Sequence, residues 1–171
     1  MLLSRQQKYI LYALDALGCI RFSQLYELTR SAFSSTKNII TEAGMSAMLR
    51  QLVCGNYDIL WKNDVVCKRH ATVDLLFLES IDVMMEITDR QPDDFAKGKE
   101  PYVLLRFSSQ QVYSIMHLTA EALARPNTVS PKEGEYIIWL SEIIKPEEYQ
   151  NLPERQFFAQ KGDDGVYHFY H

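Results

Sequence analysis

The chain has 171 residues, 47% apolar and 23% charged, with a net charge of −4, a composition that suits a folded protein with one large core or two small ones. No apolar run is long enough to span a bilayer, and the opening pair Leu2-Leu3 gives way at once to Ser4, Arg5, Gln6 and Gln7, so neither a membrane span nor a signal peptide is expected. Cys19, Cys54 and Cys67 form no CxxC pair and leave an odd thiol, which suits a reducing, cytoplasmic interior rather than a disulfide framework.

In chain order, Ser4 is placed to cap a first helix whose apolar stripe is Ile10, Ala13, Leu14 and Leu17, with Gly18 at its end. Cys19-Ile20-Arg21 has room only for a short strand. Ser23 can cap a second helix, with Leu25 and Leu28 facing inward, ending near Thr29. The link from Arg30 to Ile40 is longer than the usual tight turn, and its Ser34–Asn38 run can add a helical turn whose hydroxyls and Lys37 suit backbone contacts. Thr41 caps a third helix, stopped by Gly55, with Met45, Met48, Leu49, Leu52 and Val53 buried. Its opposite face carries Ala43, Ser46, Ala47 and Arg50, small enough to lie deep in a groove while Arg50 reaches a guanine or a phosphate. A plain solvent face has the same pattern.

Asp58–Trp61 and Val65–Lys68 flank Lys62-Asn63-Asp64, a hairpin with Lys62 and Asn63 at its tip and Lys68, Arg69 and His70 at its base. Helix, strand, helix, helix, hairpin is the order of a winged helix-turn-helix, a fold that places one helix in the DNA major groove. Charge divides the same way. Residues 1–70 hold nine Lys or Arg against five acids, a balance of +4 that leaves −8 for residues 71–171. A basic binding module joined to an acidic one fits that asymmetry, as do two solvated surfaces of chance composition.

The segment Leu3-Ser4-Arg5-Gln6-Gln7-Lys8-Tyr9-Ile10-Leu11, with Phe22-Ser23-Gln24-Leu25, resembles the winged-helix start of replication-relaxation-type proteins of bacterial plasmids and conjugative elements. The ending Gly165–Tyr170 is similar to that of two-part proteins of unknown function in such elements. The likeness covers residues 1–70 fairly well and the remainder loosely. It implies a DNA-binding protein of a mobile element, acting in plasmid replication or transcription control.

In residues 71–171, Ala71–Ile87 has the spacing of an amphipathic helix that packs on the winged helix or pairs two chains, and Asp89–Glu100 has the composition of a loop. Tyr102–Phe107, Val112–Leu118 and Tyr136–Leu140 are strands, the last apolar enough to be covered on both faces. Thr119–Arg125 and Pro146–Leu152 are short helices. Gln156–Ala159 and Val166–Tyr170 flank the turn Lys161–Gly165. The expected class is therefore α+β, a winged helix-turn-helix at 1–70 followed by a mixed-sheet module at 71–171.

The resemblance also raises restriction-endonuclease-like folds, whose sites hold a divalent cation with an acid and a following Glu-x-Lys on adjacent strands. The matching strand offers Ser114-Ile115-Met116 and no inward acid, so no nuclease is expected, and with no Walker A loop, GxGxxG, GxSxG or HExxH in the chain no other enzyme is expected either. Cys54, Cys67 and His70 lack the spacing and the fourth ligand of a zinc site. No cofactor, metal or small-molecule substrate is expected. The expected partner is double-stranded DNA, met as a homodimer through Lys37, Ser46, Arg50, Lys62, Asn63, Lys68 and Arg69. The alternative is a non-enzymatic protein–protein interaction module that uses the winged helix as a scaffold.

Overall fold

The computed structural model describes residues 2–35, 39–99, 102–107, 111–118, 130–140 and 154–170, with the backbone alone for 102–107. The fold is α+β, and the chain divides into two units, Met1–Gln91 and Pro92–His171.

The first unit opens with α1 (Arg5–Leu17). Ser4 and Gln7 form a reciprocal capping box, each side chain accepting from the other's backbone N–H. Gly18 ends the helix at φ 76°, a conformation that glycine adopts without the Cβ penalty. β1 (Cys19–Arg21) follows, and then α2 (Phe22–Ala32). This second helix starts before the expected Ser23 cap, with Arg21 at the N-cap. The Phe22 N–H already donates to the Asp64 carbonyl at 2.6 Å and Gln24 Oε1 accepts from the Arg21 N–H at 3.0 Å, so the first turn is satisfied without a serine. It also runs past Thr29, whose hydroxyl bonds back to the Leu25 carbonyl within the helix.

α3 (Glu42–Cys54) is capped by Thr41, which accepts from the Gly44 N–H. It buries Met45, Leu49 and Leu52, while Met48 and Val53 are only half-buried. β2 (Ile59–Lys62) and β3 (Val65–Lys68) form a hairpin, and β1 joins it to make an antiparallel sheet in the order β1-β3-β2. Alternation then sorts the side chains. Ile20, Val66 and Ile59 share one face and are fully or almost fully buried against the helices. Cys19, Arg21, Cys67 and Leu60 share the other.

α4 (Leu75–Ile87) belongs to this first unit and not to the module expected from residue 71 onward. It starts late because Asp74 is its N-cap, accepting from the Leu76 and Phe77 N–H groups. Phe77, Leu78, Ile81, Val83, Met84 and Met85 are buried, and the helix packs on α2 and β1. The packing locks polar groups as well. Arg21 pairs with Asp82 at 2.7 Å, and buried Gln24 donates to the Leu78 carbonyl and to Asp82. The boundary thus falls after residue 91, behind the helix rather than ahead of it.

The described residues of the second unit form a six-stranded mixed sheet in the order β4-β5-β6-β7-β8-β9: β4 (Asp94–Ala96), β5 (Tyr102–Phe107), β6 (Val112–His117), β7 (Glu135–Leu140), β8 (Gln156–Lys161) and β9 (Tyr167–Tyr170). β6, β7 and β8 are parallel neighbours and the remaining pairings are antiparallel. β4 lies in the stretch expected as a loop; its Phe95 is buried, and pairing with β5 outweighs the polar composition around it. Ile137, Ile138, Trp139 and Leu140 are all buried, so β7 is covered on both faces as its apolar run requires. The helices expected at 119–125 and 146–152 lie outside the described residues.

Candidate nucleic-acid interface

α3 turns one stripe to the core and the other outward. Ala43, Gly44, Ala47, Arg50 and Gln51 are exposed, and Ser46 is partly covered. The helix is held from beneath by α1, where buried Gln7 donates from Nε2 to Gln51 Oε1 at 2.9 Å. That bond bridges a shallow groove of about 380 Å³ whose walls include Ser4, Gln6, Thr41 and Gly44. Arg50 has no hydrogen bond or ion pair among the described residues, so its guanidinium is available to a ligand.

The hairpin is tied to the start of α2 close to its tip, where the Asp64 carbonyl accepts from the Phe22 N–H. Trp61 stacks on Phe22 with ring centroids 5.3 Å apart and planes at 9°, which ties β2 to the start of α2. Lys62 pairs in register with Val65, leaving the two-residue turn Asn63-Asp64. Asn63 takes the left-handed conformation at φ 53°, which asparagine tolerates better than most side chains. Lys62 and Asn63 are both exposed, and their side chains make no internal polar contact among the described residues.

The base of the hairpin is different. Lys68 ion-pairs with Asp15 of α1, and Arg69 Nε lies 3.4 Å from Asp58 Oδ1. Two of the expected ligand-binding cations are therefore neutralised within the unit. Arg21 and Arg30 are likewise paired, with Asp82 and Glu27. Lys37 lies outside the described residues. Two exposed cations beyond those expected from the sequence are Arg5 and Lys8, which flank Gln7 on the first turn of α1 and have no internal partner among the described residues. Their signal is local: both fall off the Ile10/Leu14/Leu17 stripe on the first turn of α1.

Cys54, Cys67 and His70 do not come together as a metal site. Cys54 is exposed at the end of α3, Cys67 stands in β3 opposite Cys19, and among the described residues no three His, Cys, Asp or Glu side chains converge. In the second unit, Glu135 begins β7 and is engaged by Ser114 Oγ at 2.6 Å and by the Lys132 N–H at 3.0 Å, a clamp between β6 and the loop ahead of β7. Buried Gln156 accepts from Trp139 Nε1 in the same way across β7 and β8. No helix among the described residues is long and apolar enough to cross a membrane. Neither a protein-family model nor a curated protein sequence matches the chain.

Proposed function

We propose that the first unit is a winged helix that binds duplex DNA without catalysing a reaction. α3 enters the major groove and the β2–β3 tip rests on the backbone. The observation that carries this reading is a division among the cations. Arg50 and Lys62, on the outward face of α3 and at the hairpin tip, are exposed and, like Arg5 and Lys8 at the start of α1, have no side-chain partner among the described residues, whereas Arg21, Arg30, Lys68 and Arg69 are paired with acids. Small residues around Arg50 leave the helix face narrow enough for a groove. The likeness of Leu3–Leu11 and Phe22–Leu25 to replication-relaxation-type proteins supports a cytoplasmic role in replication or transcription control of a mobile element.

So few free cations favour a homodimer, which doubles the phosphate contacts across two half-sites. β9 supports the pairing: it is an edge strand with Phe169 and Tyr170 exposed. The test is binding of the full chain to a duplex library across a salt series, with light scattering on the same sample. Binding that weakens as salt rises, by a dimer, is expected. Salt-independent retention, or none, overturns the DNA reading.

A protein-binding scaffold has one observation of its own. Leu60, Val73 and Leu75 of the first unit are 40%, 45% and 69% exposed, more apolar surface than a DNA face needs. A parent chain that binds no duplex in a salt-dependent way favours it.

A further inference from the structure

We propose that Cys19 and Cys67 are a redox-active cross-strand pair that closes into an intramolecular disulfide between β1 and β3. They are direct partners in the antiparallel register, and both are thiols in the structure. The hydrogen bonds around them define which kind of partners they are. The Lys68 N–H donates to the Gly18 carbonyl at 2.8 Å and the Phe22 N–H to the Asp64 carbonyl at 2.6 Å. Those bonds mark Gly18/Lys68 and Phe22/Asp64 as hydrogen-bonded positions, and the alternation of an antiparallel ladder makes Cys19/Cys67, next to Gly18/Lys68, a non-hydrogen-bonded position. Such partners have Cα atoms about 4.5 Å apart with side chains on one face, inside the roughly 4.4–6.8 Å that a disulfide spans.

The two thiols are not equivalent, and this sets the order of events. Cys19 is fully buried, its Sγ 3.7 Å from the Thr72 carbonyl oxygen, while Cys67 is partly open to solvent. Cys67 meets the oxidant. With a low-molecular-weight disulfide such as oxidised glutathione, the Cys67 thiol loses its proton to solvent and its sulfur attacks one glutathione sulfur. That S–S bond breaks, and one glutathione leaves as its thiolate. Cys19 then loses its proton and attacks Cys67 Sγ, expelling the second glutathione. Two cysteine thiols are oxidised by two electrons and one glutathione disulfide is reduced to two thiols. Burial raises the Cys67 thiol above its ordinary value, so the first step is slow at neutral pH and accelerates as pH rises.

The closed loop contains α2, α3 and β2, the segment that bears Arg50 and Lys62. Covalent closure restricts the unfolded chain without moving the paired strands, so the oxidised protein melts at a higher temperature than the reduced one.

The experiment uses the full chain with Cys54→Ser, which removes the exposed thiol at the end of α3 and leaves the pair alone. After incubation with oxidised glutathione under native conditions, both remaining thiols should be lost. The intact mass should fall by two hydrogens with no glutathione retained, and a peptide map should join the Cys19 and Cys67 peptides. In a Cys54→Ser/Cys19→Ser chain, Cys67 should instead hold a stable glutathione adduct. A lasting adduct on Cys67 when Cys19 is present, a disulfide between two chains, or two thiols that survive in folded protein at raised pH would each overturn the proposal.

Discussion

Gln24 of α2 holds Asp82 of α4 at 2.6 Å, Nε2 to Oδ1, while the other carboxylate oxygen of Asp82 takes the Arg21 guanidinium at 2.7 Å. One carboxylate thus serves two elements. Gln24 is buried, so removing its acceptor leaves amide N–H capacity without a partner. Asp82→Ala should destabilise the first unit by about 1–3 kcal/mol. Asp82→Asn, which can still accept from Gln24, should cost less. Urea midpoints, with hydrogen exchange along α4 to assign the loss to this unit, check the order. Equal midpoints for the parent and Asp82→Ala would show that water replaces both partners.

Local signals carry much of the first unit, because caps and stripes are written in neighbouring residues. Ser4, Gly18 and Thr41 terminate helices through bonds that span at most four positions, and Ile10, Leu14, Leu17, Met45, Leu49 and Leu52 are buried as their spacing requires. What the sequence withholds depends on partners far along the chain. A count of cations cannot tell that Lys68 faces Asp15 or that Arg69 faces Asp58. An amphipathic pattern says that α4 has a face to bury, not that α2 and β1 receive it. The pairing of Cys19 with Cys67 likewise follows from strand register, which neither cysteine encodes alone.

Tyr9 offers a pH-dependent test of the α1 packing. Burial among the aromatic rings of Tyr12 and Phe33 pushes its hydroxyl up to about 12 from an ordinary 10.0. Below the ordinary value both folded and unfolded chains keep the proton, and Tyr9 adds no pH dependence. Between about 10 and about 12 the unfolded chain releases the proton while the folded one retains it, so stability falls as pH rises through this window. Tyr9→Phe should flatten that decline. Stability measured at steps across the window decides: identical slopes for parent and variant would place the hydroxyl in water.

Asn63 separates turn chemistry from ligand contact. Its φ of 53° costs a β-branched side chain roughly 1–2 kcal/mol and costs glycine little. Asn63→Val should therefore destabilise the hairpin, seen as faster hydrogen exchange across β2 and β3. Asn63→Gly should leave exchange unchanged. If Asn63 also touches a phosphate, Asn63→Gly keeps the fold and weakens DNA binding; if its role is the turn alone, binding by that variant matches the parent.

The last test sets the acid-paired cations against the free ones. Deleting a cation that neutralises one phosphate should flatten the dependence of log K on log salt by roughly 0.9. Arg50→Ala and Lys62→Ala should each show that change, because neither side chain has another partner among the described residues. Lys62→Ala should weaken binding about equally on all sequences. Arg50→Ala should also relax sequence preference if it reads a guanine, by roughly 1–3 kcal/mol of discrimination. Lys68→Ala and Arg69→Ala remove groups held by Asp15 and Asp58, so the salt slope should stay as in the parent. Their effect should be on stability and small, under about 1 kcal/mol, since both pairs reach the surface. Should Lys68→Ala and Arg69→Ala flatten the slope while Arg50→Ala and Lys62→Ala do not, the hairpin base is the binding surface, and those two ion pairs open when DNA binds.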